Sequence, residues 1–150
     1  MRIREAVPSD APVLAQLRWE FRAGKDAPVE TEAEFRERCV EWMSAALAAG
    51  EWRAWVAEDN GTIVGQGWMR VIAKIPNPAG ERDRHAYFSN LYVTPSARGG
   101  VGSRLLEAAI AWASAHGVDR VILWPSTRSR SMYLRHGFTS NGEVLELTCR

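Results

Sequence analysis

The most specific chemical pattern in the chain is the run from Leu91 to Leu106, Leu-Tyr-Val-Thr-Pro-Ser-Ala-Arg-Gly-Gly-Val-Gly-Ser-Arg-Leu-Leu. Within it, Arg98-Gly99-Gly100-Val101-Gly102 packs three glycines into five residues. Glycine permits positive φ and lets a ligand approach the backbone closely. The apolar residues before the glycines (Tyr87, Phe88, Leu91, Tyr92, Val93) read as a strand that Pro95 closes, since proline cannot continue a ladder. Leu105, Leu106, Ala109, Ile110 and Ala113 follow at helical spacing. A strand, a glycine turn and a helix start therefore come together. The first N–H groups of that helix, from about Arg98 to Ser103, have no intrahelical acceptor, and with the helix dipole they favour an anion such as a phosphate. A plain glycine-rich connection with no ligand is the competing reading. No Lys follows the glycines, which excludes a P-loop, and the spacing does not fit a Gly-x-Gly-x-x-Gly dinucleotide turn.

The elements that must position this turn can be read outward from it. Residues 2–7 read as a short strand. Ser9 or Asp10 caps a helix with Pro12 in its first turn, which carries Val13, Leu14, Leu17, Trp19 and Phe21 to about Ala23. Gly24 to Val29 reads as a break. Thr31 and Glu34 form a capping-box pattern before a helix with Phe35, Cys39, Trp42, Met43, Ala46 and Leu47 on one face, ended by Gly50. Residues 52–59 and 62–75 read as strands joined by Asp59-Asn60-Gly61, a hairpin signal, with a bulge expected at Gly65 or Gly67. After a loop at 76–84, His85 to Val93 is the strand that leads into the glycines.

The long helix ends at Gly117, and residues 118–124 form a strand whose Val121-Ile122-Leu123 is fully apolar. Residues 125–130 turn, 131–136 form a short helix, Asn141-Gly142 turns, and 143–148 alternate as a last strand. The strand–helix–strand unit at 87–124 must be a right-handed parallel crossover, whereas 52–93 is an antiparallel meander. The fold class is thus α/β (α+β mixed), with helices on both faces of a mixed sheet.

Size and composition limit the rest. The chain has 150 residues, nearly half apolar and a quarter charged, which suits one domain spanning 1–150 with one core. A net charge of +1 gives no global case for nucleic acid or a membrane surface. Cys39 and Cys149 have no metal-ligand spacing, so no metal is expected and both read as reduced thiols. Met1-Arg2-Ile3-Arg4-Glu5 lacks the apolar run of a signal peptide, so a cytoplasmic protein is expected.

The chain resembles the GNAT superfamily of N-acetyltransferases over nearly its whole length. Val93-Thr94-Pro95 through Arg98-Gly99-Gly100-Val101-Gly102 to Leu105-Leu106 is similar to that family's acetyl-CoA pyrophosphate loop. Met132-Tyr133-Leu134-Arg135-His136-Gly137-Phe138 is similar to its Tyr-x-x-x-Gly-Phe segment, and Gly65 with Trp68 fits its Val-Gly strand. The loop departs from the family pattern in length: the Arg/Gln position falls on Ala97, and Arg98 stands one place late.

The resemblance implies a GNAT fold, with a six- to seven-stranded sheet, about four helices, and parallel central strands that splay to admit pantetheine. It also implies acetyl-CoA as cosubstrate. Leu91, Tyr92, Val93, Arg98, Gly99, Gly100, Val101, Gly102, Ser103, Ser126, Arg128, Arg130 and Tyr133 would then contact the cofactor. Arg128, Arg130 and Arg135 lie in a run from Arg120 to His136 without an acid and, with Arg104, suit its phosphates. Tyr133 is the general-acid candidate, since a phenol of ordinary pKa ~10 stays protonated at neutral pH and can hand a proton to a departing thiolate. A backbone N–H near Leu91 or Tyr92 is the oxyanion donor. His85 is a candidate base beside Glu20, Glu30 and Glu32, and Ser89, Asn90 or Tyr92 holding a water is the alternative. Residues 19–35 and 74–85 should set acceptor specificity, with Trp19, Phe21 and Trp68 as candidate walls.

The function implied is acetyl transfer to the primary amine of a small molecule or peptide by direct attack, in a monomer or homodimer. A catalytically silent acetyl-CoA sensor, or a structural domain without cofactor, are the alternatives from other classes.

Overall fold

The computed structural model describes residues 1–140 and 142–149. The expected turn at Asn141-Gly142 falls partly outside them. The elements are β1 (Arg2–Glu5), α1 (Ala11–Asp26), α2 (Glu32–Ala49), β2 (Trp52–Asp59), β3 (Thr62–Ala73), β4 (Arg84–Val93), α3 (Val101–Ala115), β5 (Arg120–Ile122) and α4 (Arg130–Arg135). Local chemistry sets several boundaries. Thr31 Oγ1 accepts from the Glu34 N–H while a Glu34 carboxylate oxygen accepts from the Thr31 N–H, both at 3.2 Å, so the capping box opens α2. Asn60 and Gly61 both take positive φ (50° and 80°), as the tight β2–β3 hairpin requires.

The strands form one sheet in the order β1-β2-β3-β4-β5, antiparallel up to β4 and parallel between β4 and β5. Strand alternation then builds two cores. Trp55, Ala57, Met69, Ala86, Phe88 and Val93 pack with Val101, Leu105, Leu106, Ala109 and Ala113 of α3. Ala54, Val56 and Trp68 point the other way and pack with Leu14 of α1 and with Cys39 and Met43 of α2. Gln66 is fully buried on this second side and is satisfied twice: its Nε2 donates to the Leu14 carbonyl at 3.0 Å, and its Oε1 accepts from the Trp68 indole N–H at 2.8 Å. One amide thus ties α1 to the sheet and fixes the Trp68 ring.

Three expectations are corrected. The sheet has five strands among the described residues, not six or seven: residues 143–148 form no strand, and Val144, Leu145 and Leu147 lie exposed. β5 spans only three residues, so the alternation of that segment finds no long edge to pair with. The break expected at Gly24 begins later. α1 continues to Asp26 and ends where Ala27 adopts a left-handed φ of 49°, with Arg22 and Asp26 paired at 2.5 Å across the last turn. The bulge expectation is corrected in part: facing β2, β3 does bulge beside Gly65, where Val64 is the extra residue between the Ala57–Gly65 and Glu58–Ile63 pairs, but the irregularity facing β4 lies on β4 and not on Gly67. Gln66 pairs with Tyr92 and Trp68 with Ser89, so Asn90 and Leu91 together oppose Gly67. Asn90 takes the positive φ (57°) that this requires, and asparagine tolerates it better than most residues. No helix among the described residues is long and apolar enough to cross a membrane.

Candidate functional site

β4 carries the site, because it is irregular on both of its edges. Toward β5 it pairs only at His85, Ala86 and Tyr87, opposite Arg120, Val121 and Ile122. From Phe88 to Val93 that edge has no strand partner among the described residues, so the two parallel strands part into a cleft that leaves β4 backbone groups for a ligand. Toward β3 the bulge changes which way side chains point. Ser89 and Asn90, neighbours in sequence, both face the α1–α2 side, while Leu91 returns to the α3 side. A regular strand cannot turn two successive residues to one face.

The glycine turn sits at the open end of the cleft. A short 3-10 turn at Pro95–Ala97 follows β4; Arg98 is extended, with its Nε donating to the Val93 carbonyl at 3.2 Å. Gly99 and Gly100 then take φ of 129° and 94°, which a side chain would strain, and α3 begins at Val101 with no side-chain cap. The first intrahelical acceptor is the Gly100 carbonyl, taken by the Arg104 N–H at 3.2 Å. Among the described residues, the N–H groups of Gly99, Gly100, Val101, Gly102 and Ser103 have no acceptor. Thr94 Oγ1, where β4 gives way to the turn, is buried without a partner. A Cβ on Gly102 would stand 3.7 Å from Met132 Sδ and 3.9 Å from Leu91 Cδ2, so β4, α3 and α4 converge here.

Tyr133 enters this convergence from α4. It is 7% exposed, shares the buried cluster of Val93, Val101 and Leu105, and stands edge-on to Phe138 at 5.6 Å. Its hydroxyl has no hydrogen-bond partner among the described residues. Burial without a compensating charge pushes its pKa up to about 12. The phenol is therefore fully protonated at neutral pH. In an alkaline titration followed by phenolate absorbance, Tyr133→Phe should remove a component with its midpoint near 12; losing a component near 10 contradicts this environment. The folded pKa lies above the unfolded value of ~10. The neutral phenol therefore stabilises the fold below about pH 10, and that contribution fades as pH rises toward 12.

On the α1–α2 side the bulge opens into a cavity of about 280 Å³ lined by Arg18, Phe35, Trp42, Trp52, Trp68, Ser89 and Asn90, with Arg38 at its rim and Cys39 and Met43 beneath. The three indoles stand 5.6 to 6.2 Å apart, centre to centre. Arg18 Nη1 donates to Asn90 Oδ1 at 3.2 Å. Arg38 pairs with Glu30, and Phe35 lies beneath its guanidinium. Burial raises the Cys39 thiol, which leaves it a packed neutral group and not a nucleophile.

The expected site residues divide accordingly. Leu91, Val93, Val101, Gly102 and Tyr133 come together, with Arg98, Gly99, Gly100 and Ser103 completing the turn. Tyr92 faces α1, stacked on Phe21 at 5.1 Å, and burial raises its pKa. Ser126 Oγ bonds Ser129 Oγ at 2.7 Å in the turn before α4, with Arg128 exposed beside it and Arg130 opening the helix. His85 stands five residues from Asn90, roughly 16 Å along the strand at ~3.3 Å per residue, beside Arg120. Trp68 walls the cavity, whereas Trp19 packs on Phe35 at 5.7 Å. Residues 82–84 are tied to the α3–β5 turn: the Arg82 and Asp83 N–H groups donate to Asp119 at 3.0 and 2.9 Å. Sequence reasoning missed Arg18, a charged residue on an otherwise apolar helical stripe.

Residues 13–138 match the model of the acetyltransferase (GNAT) family. No curated protein matches in sequence. Solved structures do. A GCN5-related N-acetyltransferase from Ralstonia eutropha superposes with a TM-score of 0.81 at 24% identity, over 99% of each chain. A predicted acetyltransferase with acetyl-CoA from Clostridium acetobutylicum gives 0.80 at 25%, over 98% of this chain and 95% of that one. Glucosamine-6-phosphate N-acetyltransferase from Arabidopsis thaliana gives 0.73 at 19%, over 99% and 98%.

Proposed function

The chain belongs to the acetyltransferase (GNAT) family, and from that premise we propose that it transfers the acetyl group of acetyl-CoA to the primary amine of a small molecule by direct attack, with Tyr133 as general acid. The observation that carries this reading is the bare backbone turn at Gly99–Ser103 beside the β4–β5 cleft. The residues fit the cosubstrate. The free N–H groups and the α3 dipole suit a diphosphate, and Arg128 and Arg130 add positive charge at the start of α4. The unpaired edge of β4 offers its backbone to pantetheine amides. The Clostridium structure, described with acetyl-CoA, supports the same cosubstrate.

Each chain group then has a task. The N–H near Leu91, at the bulge, would donate to the thioester oxygen and stabilise the negative charge that develops there. The Tyr133 hydroxyl supplies the proton taken up by the departing thiolate, as the C–S bond breaks and the C–N bond forms. Ser89 and Asn90, on the cavity wall, would hold a water that relays the amine's proton to bulk solvent. Among the described residues no carboxylate lines the acceptor cavity, so no side chain there favours the amine's charged, unreactive form.

The test is release of coenzyme A thiol across a panel of amines. Amine-dependent release is expected. Micromolar binding of acetyl-CoA with no release for any amine leaves a silent binding module on the same fold. No binding at millimolar acetyl-CoA overturns both readings.

A further inference from the structure

We propose that the acceptor is a small α-amino acid with an aromatic or large apolar side chain, its carboxylate held by Arg18; this rests on the acetyl-transfer reading above. Arg18 is half-buried and lines an aromatic cavity, and among the described residues no carboxylate lies within ion-pair distance of it, Asp26 acting on it only from farther off. Its neighbours show the contrast: Arg22 is paired with Asp26 and Arg38 with Glu30. Asn90 gives Arg18 only one neutral acceptor, at 3.2 Å. A guanidinium has five N–H donors in a planar fork, so most of this one stays unused and matches a carboxylate. Burial makes its charge costly, and a bound anion would offset that cost.

Distance narrows the class. Asn90 is the bulge residue, and the bulge is where the amine must meet the thioester. On that reading an anion bound by Arg18, which bonds Asn90 at 3.2 Å, lies beside the reacting nitrogen. An α-amino acid carries both groups on one carbon. An amine with an acid at the far end of a long chain does not meet this requirement, and neither does a peptide N-terminus, whose α-carbonyl is an uncharged amide.

The walls select the side chain. Trp42, Trp52 and Trp68 pack against one another at 5.6 to 6.2 Å and present apolar faces, and the Trp68 N–H is already taken by Gln66. Three rings so close form a wall rather than a cage around a cation, and Arg18 beside them repels one. Polyamines and other polycations are thereby disfavoured. About 280 Å³ lies just below the ~300 to ~1,000 Å³ of drug-sized ligand sites and suits one amino acid.

The test compares L-phenylalanine, L-phenylalaninamide and 2-phenylethylamine, which share a ring and an amine and differ at the carboxylate. With acetyl-CoA present, kcat/KM for the acid should exceed that for the other two by at least about tenfold. In Arg18→Met that ratio should collapse to about one, and Arg18→Lys should recover part of it; a ratio is insensitive to how much of a variant folds. Equal turnover of all three by the wild type, or an unchanged ratio in Arg18→Met, overturns the anchor while leaving acetyl transfer standing. If no amine releases thiol, the enzymatic reading fails separately. Calorimetry on the protein with coenzyme A then decides the anchor by itself: binding of phenylalanine but not of its amide supports it, and equal or absent binding of both overturns it.

Discussion

Tyr133→Phe lowers kcat by about 10²- to 10⁴-fold while KM for acetyl-CoA and for the amine stays within about threefold, the range expected when one positioned acid is removed. The substitution deletes a single oxygen. Among the described residues that oxygen has no hydrogen-bond partner to leave stranded, and the ring keeps its edge-on packing against Phe138. The usual reason for a buried Tyr→Phe change to destabilise, a lost hydrogen bond, is absent here. The phenol is neutral up to about pH 12, so the effect should hold across the whole working pH range rather than appear on one limb. A variant with wild-type turnover removes Tyr133 from the chemistry. A variant whose KM rises while kcat holds makes it a packing residue of the cleft.

Ser103→Glu weakens acetyl-CoA binding by at least about thirtyfold, equivalent to about 2 kcal/mol of like-charge repulsion, without loosening the fold. Ser103 is the third residue of α3, half-buried, and its N–H is one of the donors in the bare turn. A glutamate at this position of an uncapped helix interacts well with the dipole and adds ~0.3–1 kcal/mol of helix stability. Stability and binding therefore move in opposite directions, which separates loss of the anion site from simple unfolding. Parallel loss of both, or unchanged affinity in a folded variant, contradicts the placement of the diphosphate.

Much of this was legible in advance, because it is written in local chemistry. Thr31 with Glu34, Asn60 with Gly61, and the three glycines before Leu105 each fix a backbone conformation within a few residues. The parting of β4 from β5 was legible through the resemblance. What escaped depends on distant partners. The sequence pointed to Gly65 and Gly67 for a bulge; β3 does bulge beside Gly65 against β2, but toward β4 Gly67 only makes room. A Cβ there would stand 3.0 Å from the Phe88 ring, and Asn90 makes the turn. The alternation at 143–148 gave the period of a strand and could not show that β5 offers only three residues. Arg18 bonds a residue 72 positions away. Its one local signal was its place four residues after Leu14 and three before Phe21, where a charge interrupts an apolar stripe. His85 lay on the expected strand, yet the strand's length carries it away from the bulge.

The central claim is that the backbone amides of the glycine turn hold the diphosphate of acetyl-CoA and so aim the acetyl group into the cleft beside β4. Amide chemical shifts of ¹⁵N-labelled protein titrated with coenzyme A address it residue by residue. The account predicts that the largest shifts fall on Gly99, Gly100, Val101, Gly102 and Ser103, with smaller ones from Leu91 to Val93. Saturable binding that leaves those five amides unmoved would contradict it.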